Sequence, residues 1–263
     1  VTAATGARTA TSTATTTASP QRAERLRLLV QPVVVVALVG GVLLWAFTRD
    51  LDSIERQSLN ASALVSATWD HLVISLVVTG LVLVVAVPLG IVLTRRWARR
   101  SAPLFLGIAT IGQASPAIGI LVLFFLVSGM EGLWAAVLPI AFYTLLPVLR
   151  NTMVGLQGVD PALVDAGRGI GMSAATVLRR IELPLAVPLI LAGLRTALVH
   201  AVGVATLAVF VNGGGLGLLI DTGYKLARVP VLITGAVLAV GLALLVDWLG
   251  ALVETYLGPK GLR

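Results

Sequence analysis

Residues 31–48, 72–94, 101–130, 132–149 and 229–246 contain no Asp, Glu, Lys or Arg, and only Arg195 and His200 interrupt the apolar region 183–220. Runs of this length constrain the fold more than any other feature. A hydrocarbon layer about 30 Å thick takes roughly 20 helical residues at about 1.5 Å each. It offers no water to backbone groups, so only helices and closed barrels can cross it. The charged fraction agrees: 12% of the 263 residues are charged, against about 25% in soluble domains. With 57% hydrophobic residues the chain is no disordered polypeptide. It has no Cys, which excludes disulfide scaffolds, thiolate nucleophiles and Cys–metal sites.

The runs predict six spanning helices, at roughly 31–48, 71–94, 103–127, 132–149, 185–209 and 230–251. The third and fourth are separated by a short hairpin around Ser128–Glu131. Residues 1–28 read as an Ala/Thr-rich cytoplasmic tail, 29–254 as the transmembrane domain and 255–263 as a short cytoplasmic tail. No secretory signal peptide is expected, because the first apolar run follows Pro32 without a convincing cleavage site. Pro88, Pro116, Pro139, Pro147 and Pro188 fall inside spans, where each removes a backbone donor and favours a kink.

With the N-terminus placed inside, fifteen of the nineteen basic residues lie on the inner side and only Arg49, Arg56, Lys225 and Arg228 outside. The twelve acids divide evenly. A Lys/Arg asymmetry with indifferent acids is the positive-inside pattern, so both termini are expected in the cytoplasm. Trp45, Trp69 and Trp134 fall at outer span ends and Trp97 and Trp248 at inner ones, the depth an indole prefers. The net charge of +7 therefore marks one membrane side rather than a nucleic-acid surface. Neither Lys225 nor Lys260 lies in a Walker A context, and no nucleophile–base pair suggests an enzyme.

The longest cytoplasmic connection is 150–184. Asp160-Pro161 is a cap followed by proline at the first helical position, predicting a helix to about Arg168 that ends near Gly169–Gly171. Ser173 would cap a second helix, 174–182, closed by Pro184. Two short helices make a platform rather than a loose connector.

The spacing Asp165-Ala166-Gly167, three residues, Gly171, nine residues, Ile181-x-Leu183-Pro184 resembles the EAA motif of ABC-importer permeases. His71-LVISL, Ala86-VPLGIVLTR and Asn212-GGGLG are similar to the glycine betaine/carnitine/choline (osmoprotectant) permeases within that superfamily. The resemblance implies an all-α, type I ABC-importer-like permease of the inner or plasma membrane. Its coupling helix would seat in a cytoplasmic ATPase through Asp165, Ala166, Gly167, Arg168, Gly171, Ile181, Leu183 and Pro184. It further implies an ATPase dimer that binds ATP, a second permease subunit (identical or similar), an extracytoplasmic binding protein, and no cofactor or metal in this chain. Asp165 replaces the usual Glu and Gly167 the second Ala. Glycine costs roughly 1 kcal/mol in a helix, so a looser coupling helix is expected. The local alternative for Asp165 is an i,i+3 pair with Arg168.

Arg195 either snorkels inward from a helix that starts late or lines the translocation path opposite Asp247. His200, deeper in the span, is either a packing residue or a path residue. His71 is read as marking the start of the second span, and Asn212-GGGLG as a flexible outer lip. Phe124, Phe125, Phe142 and Tyr143 either pack or line a weak cation–π site. Two functional alternatives stand beside the osmoprotectant importer. One is an importer for amino acids or another small solute. The other is an ATP-independent secondary transporter or channel, against which the lack of internal repeats and the few buried acids count.

Overall fold

The computed structural model describes residues 20–257, with side chains over 28–256. Of the expected tails 1–28 and 255–263, residues 1–19 and 258–263 lie outside the described residues. Eleven α-helices are described: α1 (Pro20–Phe47), α2 (Ser53–Ser58), α3 (Ala61–Thr94), α4 (Ala102–Ala114), α5 (Ala117–Ser128), α6 (Leu133–Gln157), α7 (Pro161–Gly169), α8 (Ala174–Val177), α9 (Leu183–Ala205), α10 (Gly217–Lys225) and α11 (Val229–Leu257). α1, α3, α6, α9 and α11 are each long and apolar enough to cross a membrane.

The expected third span, 103–127, is not one rod. α4 and α5 meet at 102° across Ser115-Pro116. The proline ring drives the preceding residue out of the helical region, and Ser115 is extended at φ −74°, ψ 151°. Pro88, Pro139, Pro147 and Pro188 stay within continuous helices. The bent pair still carries the chain across. α4 starts beside the end of α3, whose Arg95 pairs with Glu182 next to α9. At the far end, the Gly132 N–H ahead of α6 donates to Val211 O, beyond α9, at 2.8 Å. Counted as one span, the bent pair brings the candidate crossings to six, and the 150–184 connection defines one end of the bundle.

α3 starts at Ala61, ten residues before the expected boundary at 71. Asn60 caps it by accepting the Ala63 N–H at 2.8 Å. Ser62, Ser66, Thr68 and Asp70 lower the hydropathy of its first turns and hide them from an apolar-run criterion. α1 likewise begins at Pro20, inside the segment read as tail.

The core is a three-helix contact. Ile74, Val78 and Val82 of α3 meet Val148 and Leu149 of α6 and Ala197, Ala201 and Ala205 of α9. Small residues let these backbones approach where lipid supplies no hydrophobic drive. At Gly193 of α9 an added Cβ would stand 2.9 Å from Pro147 O. α1 lies outside this core against α11. Gln31 Nε2 donates to Leu244 O at 2.9 Å and Trp248 Nε1 to Leu28 O at 2.8 Å. Arg195 of α9 pairs with Asp247 and Glu254, so the start of α1 and the end of α11 share the face of the 150–184 connection.

His71 does more than mark a helix start. It is fully buried ten residues into α3. Its Nδ1 accepts the Leu216 N–H at 3.2 Å and its Nε2 donates to Val202 O at 2.9 Å, fixing one neutral tautomer. Asn212-GGGLG is thereby pinned rather than a loose lip. Gly214 and Gly215 hold φ +76° and +84°, wrapping the backbone over the imidazole. His71→Ala leaves a buried donor and a buried acceptor unpaired, and is expected to cost about 2–3 kcal/mol. Thermal unfolding of the detergent-solubilised protein reads this as a lowered midpoint.

Candidate coupling platform and intramembrane charge cluster

The loop platform forms much as its caps dictate. Asp160 Oδ1 accepts the Ala162 N–H at 2.9 Å, with Pro161 opening α7. The Ile170, Gly171 and Met172 N–H groups return to Ala166, Arg168 and Gly167 carbonyls, closing α7. Gly171 sits at φ +89°, a conformation open to few residues other than glycine. Ser173 Oγ accepts the Thr176 N–H at 3.3 Å and starts α8.

Pro184 does not close the second helix. α8 passes through a π turn, Leu178–Glu182, directly into α9. The Leu183 N–H reaches back five residues to Leu178 O. That wider turn separates the proline ring from the carbonyl it would strike in an α-helix, and proline has no N–H to lose. The platform is thus continuous with a membrane-crossing helix.

Gly167 is a contact point rather than a weak link. A Cβ there would stand 2.7 Å from Ile181 Cδ1, so the missing side chain lets α7 close on the π turn. Ile181 and Gly167 meet, and Leu183 packs with Leu156, Ala186 and Ile190 beneath them. Asp165, Ala166 and Arg168 point outward with Leu163 and Ile170, the last 77% exposed. Asp165 has no ion-pair partner among the described residues, so the pair with Arg168 does not form. The platform thus exposes the apolar Leu163 and Ile170 together with Arg168, Arg179 and Arg180.

Beneath the platform lies a pair the sequence did not announce. Arg95, just past α3, forms a two-pronged bridge to Glu182: Nη1 donates to Oε1 at 3.2 Å and Nη2 to Oε2. The Glu182 side chain is 8% exposed and that of Arg95 30%. Eighty-seven residues separate the two in sequence, and no spacing rule links them.

Arg195 does not snorkel from a late-starting helix, since α9 begins at Leu183. Its Nε donates to Asp247 Oδ1 at 2.7 Å and its Nη1 to Glu254 Oε2 at 3.3 Å. Gln31 of α1 adds a 3.0 Å bond to Asp247 Oδ2. A cavity of about 390 Å³ opens beside this cluster, lined by Arg195, Thr196, His200, Asp247 and Glu254 among others. His200 Nδ1 stands 3.5 Å from Gln113 Nε2 on α4, next to the α4–α5 break. Of the five residues expected along a path, only Arg195 and His200 line this cavity. Asn212 is exposed at the opposite end of the bundle, and Phe124 and Tyr143 are half-buried elsewhere.

Residues 86–257 match the family described as binding-protein-dependent transport system inner membrane component. The choline transport system permease protein OpuBB of Bacillus subtilis is 42% identical over 78% of this chain and 93% of its own length. The osmoprotectant import permease protein OsmW of Salmonella typhimurium is 38% identical over 81% of this chain and 100% of its own. Among solved structures, the MetNI methionine ABC transporter in an inward-facing crystal form is similar. Its TM-score is 0.64 at 25% identity, over 74% of this chain and 96% of that one. An amino acid ABC transporter shares the fold at 17% identity, with a TM-score of 0.64.

Proposed function

The chain belongs to the family of binding-protein-dependent transport system inner membrane components, and from that premise we propose that it is the permease of an osmoprotectant importer. Its cargo is a quaternary ammonium solute such as glycine betaine, choline or carnitine. The observation that carries the cargo class is relatedness along almost the whole permease. Relatives named for choline, for osmoprotectants and for glycine betaine/carnitine/choline are 38–42% identical over 93–100% of their own lengths.

ATP is bound and hydrolysed by a partner, and this chain converts the partner's movement into opening and closing of a path. The platform's form supports that division. Leu163 and Ile170 are exposed on a short, doubly capped unit that runs straight into α9, so a push on α7 turns a membrane helix. The platform face also carries Arg95, Arg96, Arg99, Arg100, Arg150, Arg168, Arg179 and Arg180, against Arg49, Arg56, Lys225 and Arg228 at the other end. That asymmetry supports a cytoplasmic platform, with both termini on the same side. The second permease subunit and an extracytoplasmic binding protein complete the machine.

Proteoliposomes containing the permease with its cognate ATPase and binding protein test this reading. ATP-dependent uptake of labelled glycine betaine, choline or carnitine is expected, with methionine left outside. Uptake of methionine in preference to all three would move the chain to amino-acid import. Uptake without the ATPase would overturn the importer reading altogether.

A further inference from the structure

We propose that the cavity between α9 and α11 is a weak zwitterion subsite, in which Arg195 takes a solute carboxylate and Glu254 the quaternary ammonium. The inference rests on the osmoprotectant reading and deepens it by assigning the two ends of the cargo to two residues.

Arg195 lies twelve residues into α9, about 18 Å along its axis. A charge on a spanning helix is costly unless it is paired or wet, and such residues mark solute pathways by default. Here it is both paired and wet: Asp247 holds the Nε edge, and the side chain stays 19% exposed to the cavity. A guanidinium offers five N–H donors in a fixed fork. Two are engaged, by Asp247 and Glu254, and the other three have no partner among the described residues. Spare donors in that geometry suit a carboxylate, which can take two of them side by side.

Glu254 supplies the other half. It is 35% exposed and touches Arg195 only through a 3.3 Å contact, against 2.7 Å for Asp247. Its oxygens can therefore turn to a cation without releasing Arg195 from α11. A zwitterion brings one charge of each sign to a site holding both, so occupancy adds no net charge to a low-dielectric region.

The walls fit a transit site rather than a trap. Thr196 and His200 continue the exposed face of α9 above Arg195 and add polar groups to the cavity wall. None of the described lining residues is Phe, Tyr or Trp, whereas tight quaternary ammonium sites use cages of those rings. His200, at one end of the lining, meets Gln113 beside the α4–α5 break.

Uptake by the complete importer in proteoliposomes, with glycine betaine, carnitine and choline as separate cargoes, tests the subsite. Choline lacks a carboxylate and is the internal control. Arg195→Lys keeps the charge opposite Asp247 but loses the fork. It is expected to raise KM for glycine betaine and carnitine at least about fivefold, roughly 1 kcal/mol, and to leave choline within about twofold. Glu254→Gln, at a half-exposed position that tolerates the change, is expected to raise KM for all three cargoes. Equal effects of Arg195→Lys on choline and glycine betaine would overturn the assignment and reduce Arg195 to a strut between helices. An unchanged KM for every cargo in Glu254→Gln would overturn it as well. If the wild-type importer moves none of the three, the osmoprotectant reading falls first and the subsite with it.

Discussion

Arg95→Ala is expected to lower the unfolding free energy by about 3–5 kcal/mol, whereas Glu182→Ala lowers it by only about 1–2 kcal/mol. The asymmetry follows from burial. Removing Arg95 strands a carboxylate whose side chain is 8% exposed, walled in where α3, the π turn and α9 meet. An uncompensated buried charge is among the costliest defects a point change can make. Removing Glu182 strands a guanidinium that is 30% exposed and can swing its head toward water on its flexible stem. Arg95→Lys should fall between the two, since it keeps the charge and loses the two-pronged geometry. Denaturation midpoints of the purified permease in detergent rank the three variants. Equal losses from Arg95→Ala and Glu182→Ala would mean that the pair is better hydrated than its burial indicates.

The same pair shows where sequence reasoning reached its limit. Six crossings were legible because hydrocarbon thickness imposes a length and lipid excludes charge, two demands that act residue by residue along the chain. The platform was legible for a related reason: Asp160, Ser173 and Gly171 act on backbone groups within three residues of themselves. Arg95 and Glu182 are brought together only by the packing of α3 against its neighbours, so neither residue's surroundings in sequence reveal the other. Arg195 and Asp247 were easier to connect, because charges within spans are rare enough that any two invite pairing.

The misreadings share one physical origin. Pro116 and Pro184 carry the same local signal, yet the chain breaks at the first and runs on through the second. At Pro116 the preceding Ser115 goes extended and α4 turns by 102°. At Pro184 the π turn widens the helix, and Glu182, tied to Arg95, holds that turn against α3. Which answer a proline receives depends on tertiary support absent from the local sequence. Gly167 is a parallel case: its helix penalty was legible, but the close approach of Ile181 that offsets it was not.

Gly171→Asp is expected to cut ATP-driven uptake at least about tenfold, equivalent to roughly 1.4 kcal/mol, while the permease still reaches the membrane and still co-purifies with its ATPase. The reasoning separates the turn from the fold. Nothing lies within 4 Å of a Cβ at Gly171, so the substitution meets no steric wall and the bundle keeps its packing. Its cost is confined to the backbone: φ +89° is strained for any side chain, at about 1–2 kcal/mol. Relief comes from rotating the turn, which breaks the Gly171 and Met172 N–H bonds that close α7. α7 then tilts away from Ile181, and the exposed Leu163 and Ile170 no longer present one surface. A partner can still bind such a platform, but its motion spends itself in the loosened turn before reaching α9. Hydrolysis by the assembled complex should therefore continue while losing its stimulation by loaded binding protein. Gly171→Ala, which meets the same positive φ with no added charge, should show the same defect. Wild-type uptake by an intact Gly171→Asp complex would mean that force enters the membrane helices by another route than this turn.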